Sequence, residues 1–109
     1  MSKFKTLIWG GCLCNLIPAR FWNGRLALLL NEADTGLPAG RATVNLEHED
    51  QAWDEVFVKD HFENEGMIEA LQKARVIEAP TEWIQTGFTK AARCKLVDPA
   101  FWGQERPHE

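Results

Sequence analysis

Cysteines 12 and 14 stand two residues apart in GCLCN, and thiolates at that spacing can hold a soft metal or act as nucleophiles. A structural zinc site draws four nitrogen or sulfur ligands, ordinarily as two close pairs, whereas Cys94, His48, His61 and His108 are dispersed along the chain. Nucleophilic use of a thiol needs an imidazole and surroundings that favour thiolate, and nothing adjacent in sequence supplies either. In an extended strand positions 12 and 14 share a face, so both are expected to serve as small core hydrophobes. Carboxylates meet imidazoles in EHED, Glu47 to Asp50, and in KDH, Lys59 to His61. General acid–base work there would require burial or coupling that moves a pKa towards neutrality, and in polar segments such clusters read as solvated loop. Gly10 and Gly11 lack the lysine and following helix of a phosphate-binding loop. The expectation is a protein without catalytic residues, metal or other cofactor.

Charge is the stronger signal. From Glu47 to Glu69 the chain carries nine acids against one base, Lys59, while the remainder holds seven acids and eleven bases, so a net charge of -4 conceals a lopsided molecule. Phosphate recognition is mostly electrostatic, and the overall acidity argues against direct nucleic-acid binding by the modest basic set Arg20, Arg25, Arg41, Lys90, Arg93 and Lys95. An acidic surface suits the opposite role, covering a partner's cationic groove. The candidate partner-binding residues are Glu47, Glu49, Asp50, Trp53, Asp54, Glu55, Asp60, Glu63 and Glu65. Trp53 is the expected anchor, because an aromatic ring amid carboxylates matches the groups that dominate interface energies. The other tryptophans, Trp9, Trp22, Trp83 and Trp102, read as core or sheet-face residues.

The elements that must position these groups follow from periodicity. KTLIWGG reads as a strand and turn, and CNLIPARFW as a second strand that Pro18 confines to an edge or a bulge. Asn23-Gly24 between ARFW and RLALLL predicts a hairpin with a type I′ turn. DTGLPAG predicts a further reversal into RATVNL, where Ala42, Val44 and Leu46 alternate with Thr43 and Asn45 as in a sheet with one covered face. EVFVKD has strand composition. ENEGMIEALQKARVI changes to a helical period, with Leu71 on the apolar stripe and a Glu69–Lys73 pair outside. Trp83–Ile84 and Ala91–Val97 offer the last strands. This order predicts an α+β fold, a mainly antiparallel sheet of five or six strands with one helix on one face. Its 109 residues suit a single compact domain over 1–102, with a polar tail at 103–109. The longest near-apolar run, LALLLN, is far short of the ~20 residues that cross a bilayer. No signal-peptide pattern opens the chain and three cysteines cannot all pair, so a cytoplasmic location is expected.

Thr43 to Leu46 (TVNL), Asn64 to Leu71, and Pro80, Thr81, Thr86, Gly87 and Phe88 together make a pattern similar to small uncharacterised proteins of bacterial plasmids, phages and other mobile elements. The resemblance spans about two thirds of the chain and leaves out CLCNLIPARFW. It implies an antiparallel sheet with one helix and carries no catalytic or binding residue across. In size and acidity the chain resembles anti-CRISPR and anti-restriction proteins. The expected function is therefore a non-enzymatic inhibitor of a host defence complex, a protein or ribonucleoprotein with a basic nucleic-acid-binding groove. The alternative is a structural or oligomerising accessory protein of a mobile element, in which basic strands of one copy meet the acidic stretch of another to make a homodimer. Full exchange of Glu49, Asp50, Asp54 and Glu55 for amides is expected to spare the fold, since exposed charges contribute little to stability.

Overall fold

The computed structural model describes residues 4–98 and 101. In chain order these form β1 (Lys5–Trp9), β2 (Cys12–Arg20), β3 (Leu26–Glu32), β4 (Pro38–Arg41), β5 (Glu55–Lys59), a 3-10 turn (Phe62–Asn64), α1 (Met67–Lys73), β6 (Glu82–Thr86) and β7 (Thr89–Lys95). Every strand pairing is antiparallel. The α+β reading holds, but the single sheet does not. The strands divide into a sheet ordered β1-β2-β3-β4 and another ordered β5-β7-β6. Trp102 and the expected tail at 103–109 lie outside the described residues.

The first sheet is a meander of short reversals. Gly10 and Gly11 take φ of 60° and 79°, which lets two residues close the β1–β2 hairpin as a type I′ turn. At the next hairpin the expected Asn-Gly type I′ turn is replaced by a three-residue loop. Phe21 N–H donates to Arg25 O and Gly24 N–H to Phe21 O, with positive φ at Gly24 alone. Gly24 thus supplies the left-handed residue that ends a three-residue loop, and Asn23 is left to bond Asn45 and the Arg25 amide. Pro18 sits in a strand flanked on both sides, not at an edge. It is tolerated because the described pairing with β1 begins at Leu16 opposite Lys5, short of Pro18.

What divides the sheets is the segment Gly40 to Val44, most of which falls within RATVNL, predicted as one alternating strand. Ala42 N–H donates to Leu28 O on β3, then Val44 N–H donates to Phe57 O and Lys59 N–H to Ala42 O on β5. Thr43 faces Val58 in an isolated bridge and its Oγ1 accepts the Leu28 N–H at 3.1 Å. The chain crosses from one sheet to the other here, so Ala42 and Thr43 are both buried and the expected alternation with Val44 and Leu46 is lost.

One core cluster joins the layers: Leu7, Cys14, Leu16, Leu28 and Leu30 from the first sheet, Val56, Val58, Ala92 and Cys94 from the second, and Met67, Ile68 and Leu71 from α1. The helix shows the predicted stripe and the Glu69–Lys73 pair at 3.2 Å. Its end is a Schellman arrangement, in which Val76 N–H reaches Leu71 O and Arg75 N–H reaches Gln72 O. Arg75 takes the left-handed φ of 62° where glycine is usual.

Candidate functional site

Two segments carry the acidic candidates, and the fold treats them differently. The loop from Leu46 to Asp54 is fastened down by two arginines. Arg25 donates to Leu46 O and Glu49 O at 2.8 Å each, from the foot of the β2–β3 loop. Arg93, on β7, donates to Asp50 O at 2.7 Å, to Glu55 Oε1 at 3.0 Å and to Glu82 Oε1 at 2.7 Å, with Glu49 at 3.7 Å. Its guanidinium lies 4.9 Å over the ring of Phe57, a buried residue outside the main core cluster. Only 15% of the Arg93 side chain is exposed. Burial works against the charge, but the hydrogen bonds Arg93 donates to Glu82 and Glu55, with the charges of those carboxylates, outweigh it and push the Arg93 pKa up.

Several expected interface carboxylates are therefore already used. Glu49 and Glu55 serve Arg93, Glu55 also accepts the Ala52 N–H, and Asp54 lies 3.7 Å from Lys95. Exchange of Glu49, Asp50, Asp54 and Glu55 for amides would carry a cost to the fold that the isolated sequence does not suggest, because it removes two of the three carboxylates around a mostly buried guanidinium and leaves Glu82 as the remaining one. The basic candidates shrink in the same way, since Arg25, Arg93 and Lys95 hold the loop. Of the loop acids, Asp50 keeps an exposed side chain, and among the described residues the ion-pair partner of Glu47 is the solvent-facing His48 at 4.0 Å. Trp53 is half-buried and borders a cleft of about 370 Å³ with Asn23, Arg25, Leu26 and Gln51.

The second segment, Asp60 to Gly66, is a turn with its inside bound and its outside open. Asp60 is a helix cap: its carboxylate accepts Gly66 N–H at 2.9 Å and Ile68 N–H at 2.8 Å. Buried Asn64 ties the turn to the sheet junction, donating to Arg41 O at 2.7 Å. Between them Phe62 takes a φ of 53° and leaves 77% of its surface exposed. Glu63 and Glu65, on its C-terminal side, are exposed and make no ion pair among the described residues. Glu63 borders a hollow whose other walls include Arg41 and Lys59. Sequence reasoning named the carboxylates here but passed over Phe62. The only signal was an aromatic residue within DHFENEG, and its exposure depends on a backbone conformation that composition does not encode.

Among the described residues the groups with chemical potential are not assembled. Both cysteines were expected in the core, but only Cys14 is buried, while Cys12 is exposed at the strand end where the hairpin turns. Burial, with smaller contributions from Cys12 and Glu32, raises the Cys14 thiol. Burial, and then Asp60, pushes Cys94 up to about 12. Both shifts oppose thiolate formation. His48 lines a hollow with one carboxylate, Glu49, and His61 meets Phe62 edge-on at 5.2 Å. Among the described residues no three His, Cys, Asp or Glu side chains converge as a metal site. Nor is any helix among them long and apolar enough to cross a membrane.

No protein-family model matches the chain, and neither the curated proteins nor the solved structures yield a match.

Proposed function

We propose that this protein is a small non-enzymatic binder that blocks a host nucleic-acid-handling defence complex, of the CRISPR effector or restriction type, by occupying its basic nucleic-acid-binding surface. The observation that carries the reading is the turn at Phe62. A left-handed non-glycine residue and a solvated aromatic ring both cost free energy, and here they coincide between Asp60 and Asn64, which hold the backbone rigid. An exposed ring next to the carboxylates of Glu63 and Glu65 suits a cationic partner: the ring fills a pocket or stacks on a guanidinium while the acids steer approach. Glu47 and Asp50 add exposed charge on the loop at the opposite end of β5. The mobile-element resemblance and the acidity suggest the class of target.

Purified CRISPR effector and restriction complexes, mixed with the protein, are the test. Co-elution with loss of DNA binding is expected from at least one class. Replacing Glu47, Asp50, Glu63 and Glu65 by amides should slow association by about tenfold or more at low salt and flatten its salt dependence. Absence of co-elution across the classes would refute the reading.

A further inference from the structure

We infer that the hollow between β4 and the Phe62–Asn64 turn binds a free α-amino acid with an aliphatic side chain. The hollow measures about 480 Å³, within the ~300–1,000 Å³ of small-molecule sites. Asn64, only 4% exposed, lines it. The Asn64 Nδ2 donates to Arg41 O at 2.7 Å and to Lys59 O at 3.4 Å, which fixes the orientation of the amide and leaves Oδ1 as its remaining polar atom. Oδ1 accepts no hydrogen bond among the described residues. No buried side-chain oxygen among them is sealed off without a partner, so Oδ1 opens on the hollow that Asn64 lines. A nearly buried acceptor of this kind calls for a donor.

The charges around that acceptor say which donor. Arg41 and Lys59, at the ends of β4 and β5, border the hollow, and neither makes an ion pair among the described residues although acids outnumber bases 16 to 12 in the chain. Glu63 borders it from the turn and is likewise unpaired there. A plain anion would answer the two cations and meet Glu63, and a plain cation would do the reverse. A zwitterion answers both: its α-carboxylate takes Arg41 and Lys59, while its α-ammonium donates to Asn64 Oδ1 and Glu63. The remaining wall is apolar. Leu29, half-buried and opposite Arg41 in the register, and Pro38 offer a surface for an aliphatic side chain. The strands part at this wall because Ala39 is an extra residue on β4, with Pro38 opposite Asn31 and Gly40 opposite Leu30. This site goes beyond the inhibitory reading, and it is tested on the isolated chain, so either can fail without the other.

Titration of the isotope-labelled protein with leucine should shift the NMR amide signals of Ala39, Arg41, Lys59 and Asn64 and give a Kd of about 1 mM or tighter. N-acetyl-leucine keeps the carboxylate but loses the ammonium, as a peptide C-terminus does, and leucinamide loses the carboxylate. Each should bind about tenfold or more weakly than leucine. Glycine, without the side chain, and inorganic phosphate, without the ammonium, should also bind more weakly. Arg41→Gln and Glu63→Gln should each weaken leucine binding by about tenfold while melting near the wild-type temperature, since both side chains are exposed. Should Arg41→Gln misfold, Lys59→Gln provides the same reading on the cationic side. Absence of shifts at these amides in about 10 mM leucine would overturn the proposal. So would N-acetyl-leucine, leucinamide, glycine or phosphate bound as tightly as leucine, or folded variants that bind leucine unchanged.

Discussion

Phe62 pays for its exposure with a left-handed backbone, and that makes it separable from the fold. Phe62→Gly should raise stability by about 1 kcal/mol, because glycine adopts this φ without a Cβ clash and no buried contact is lost. The same variant should lose partner affinity, and a denaturant melt beside a binding curve would expose the opposition. A variant both less stable and fully competent would mean that the ring serves packing. Cys94 gives a second test. Its folded pKa, about 12, lies above the ordinary thiol value of 9.0, so the native state holds the proton more tightly than the unfolded chain. Stability from this group is complete below pH 9 and falls as pH rises from there towards 12. Cys94→Ala should flatten the alkaline limb of a stability–pH curve. At this scale strand periodicity placed Cys14 in the core correctly but not Cys12, which is exposed at the strand end. Sequence reasoning missed Phe62 and the anchoring work of Arg93, because neither a φ value nor a partner some forty residues away leaves a local trace.

Elements were legible where the signal was periodic and local. The α1 stripe, its Glu69–Lys73 pair and the strands EVFVK and RCK follow from 3.6- and 2-residue patterns that need no tertiary knowledge. The cap of α1 was not legible. Preferred capping residues lie immediately before a helix, whereas Asp60 reaches over the Phe62–Asn64 turn to bond Gly66 and Ile68. Asp60→Ala should therefore destabilise the protein by about 1–2 kcal/mol, through the lost cap and the lost charge at the positive end of the helix. Thermal melts would show it. A neutral effect would indicate that water replaces the carboxylate without cost. The Asn-Gly hairpin teaches a complementary lesson: the dipeptide marked the reversal correctly, but Arg25, drawn aside to hold the acidic loop, goes with the longer turn.

For the whole molecule the decisive residue is Thr43, where one chain segment belongs to both sheets. A helix-covered single sheet was the natural expectation from composition, since nothing in RATVNL announces a strand that changes partners midway. Thr43→Val keeps the shape but removes the acceptor of the Leu28 N–H, and should cost about 1–3 kcal/mol. Hydrogen exchange would locate the loss at the junction between β3 and β5, and a uniform change across both sheets would contradict this account. The junction also divides the chain in time. The first sheet is complete by Arg41 and needs only neighbouring hairpins, whereas β5 must wait for β7, beyond the helix. During synthesis the meander can therefore form on the ribosome while Leu7, Leu16, Leu28 and Leu30 still lack their cover, and the nascent chain is most prone to aggregate in the interval before residues 55–95 emerge.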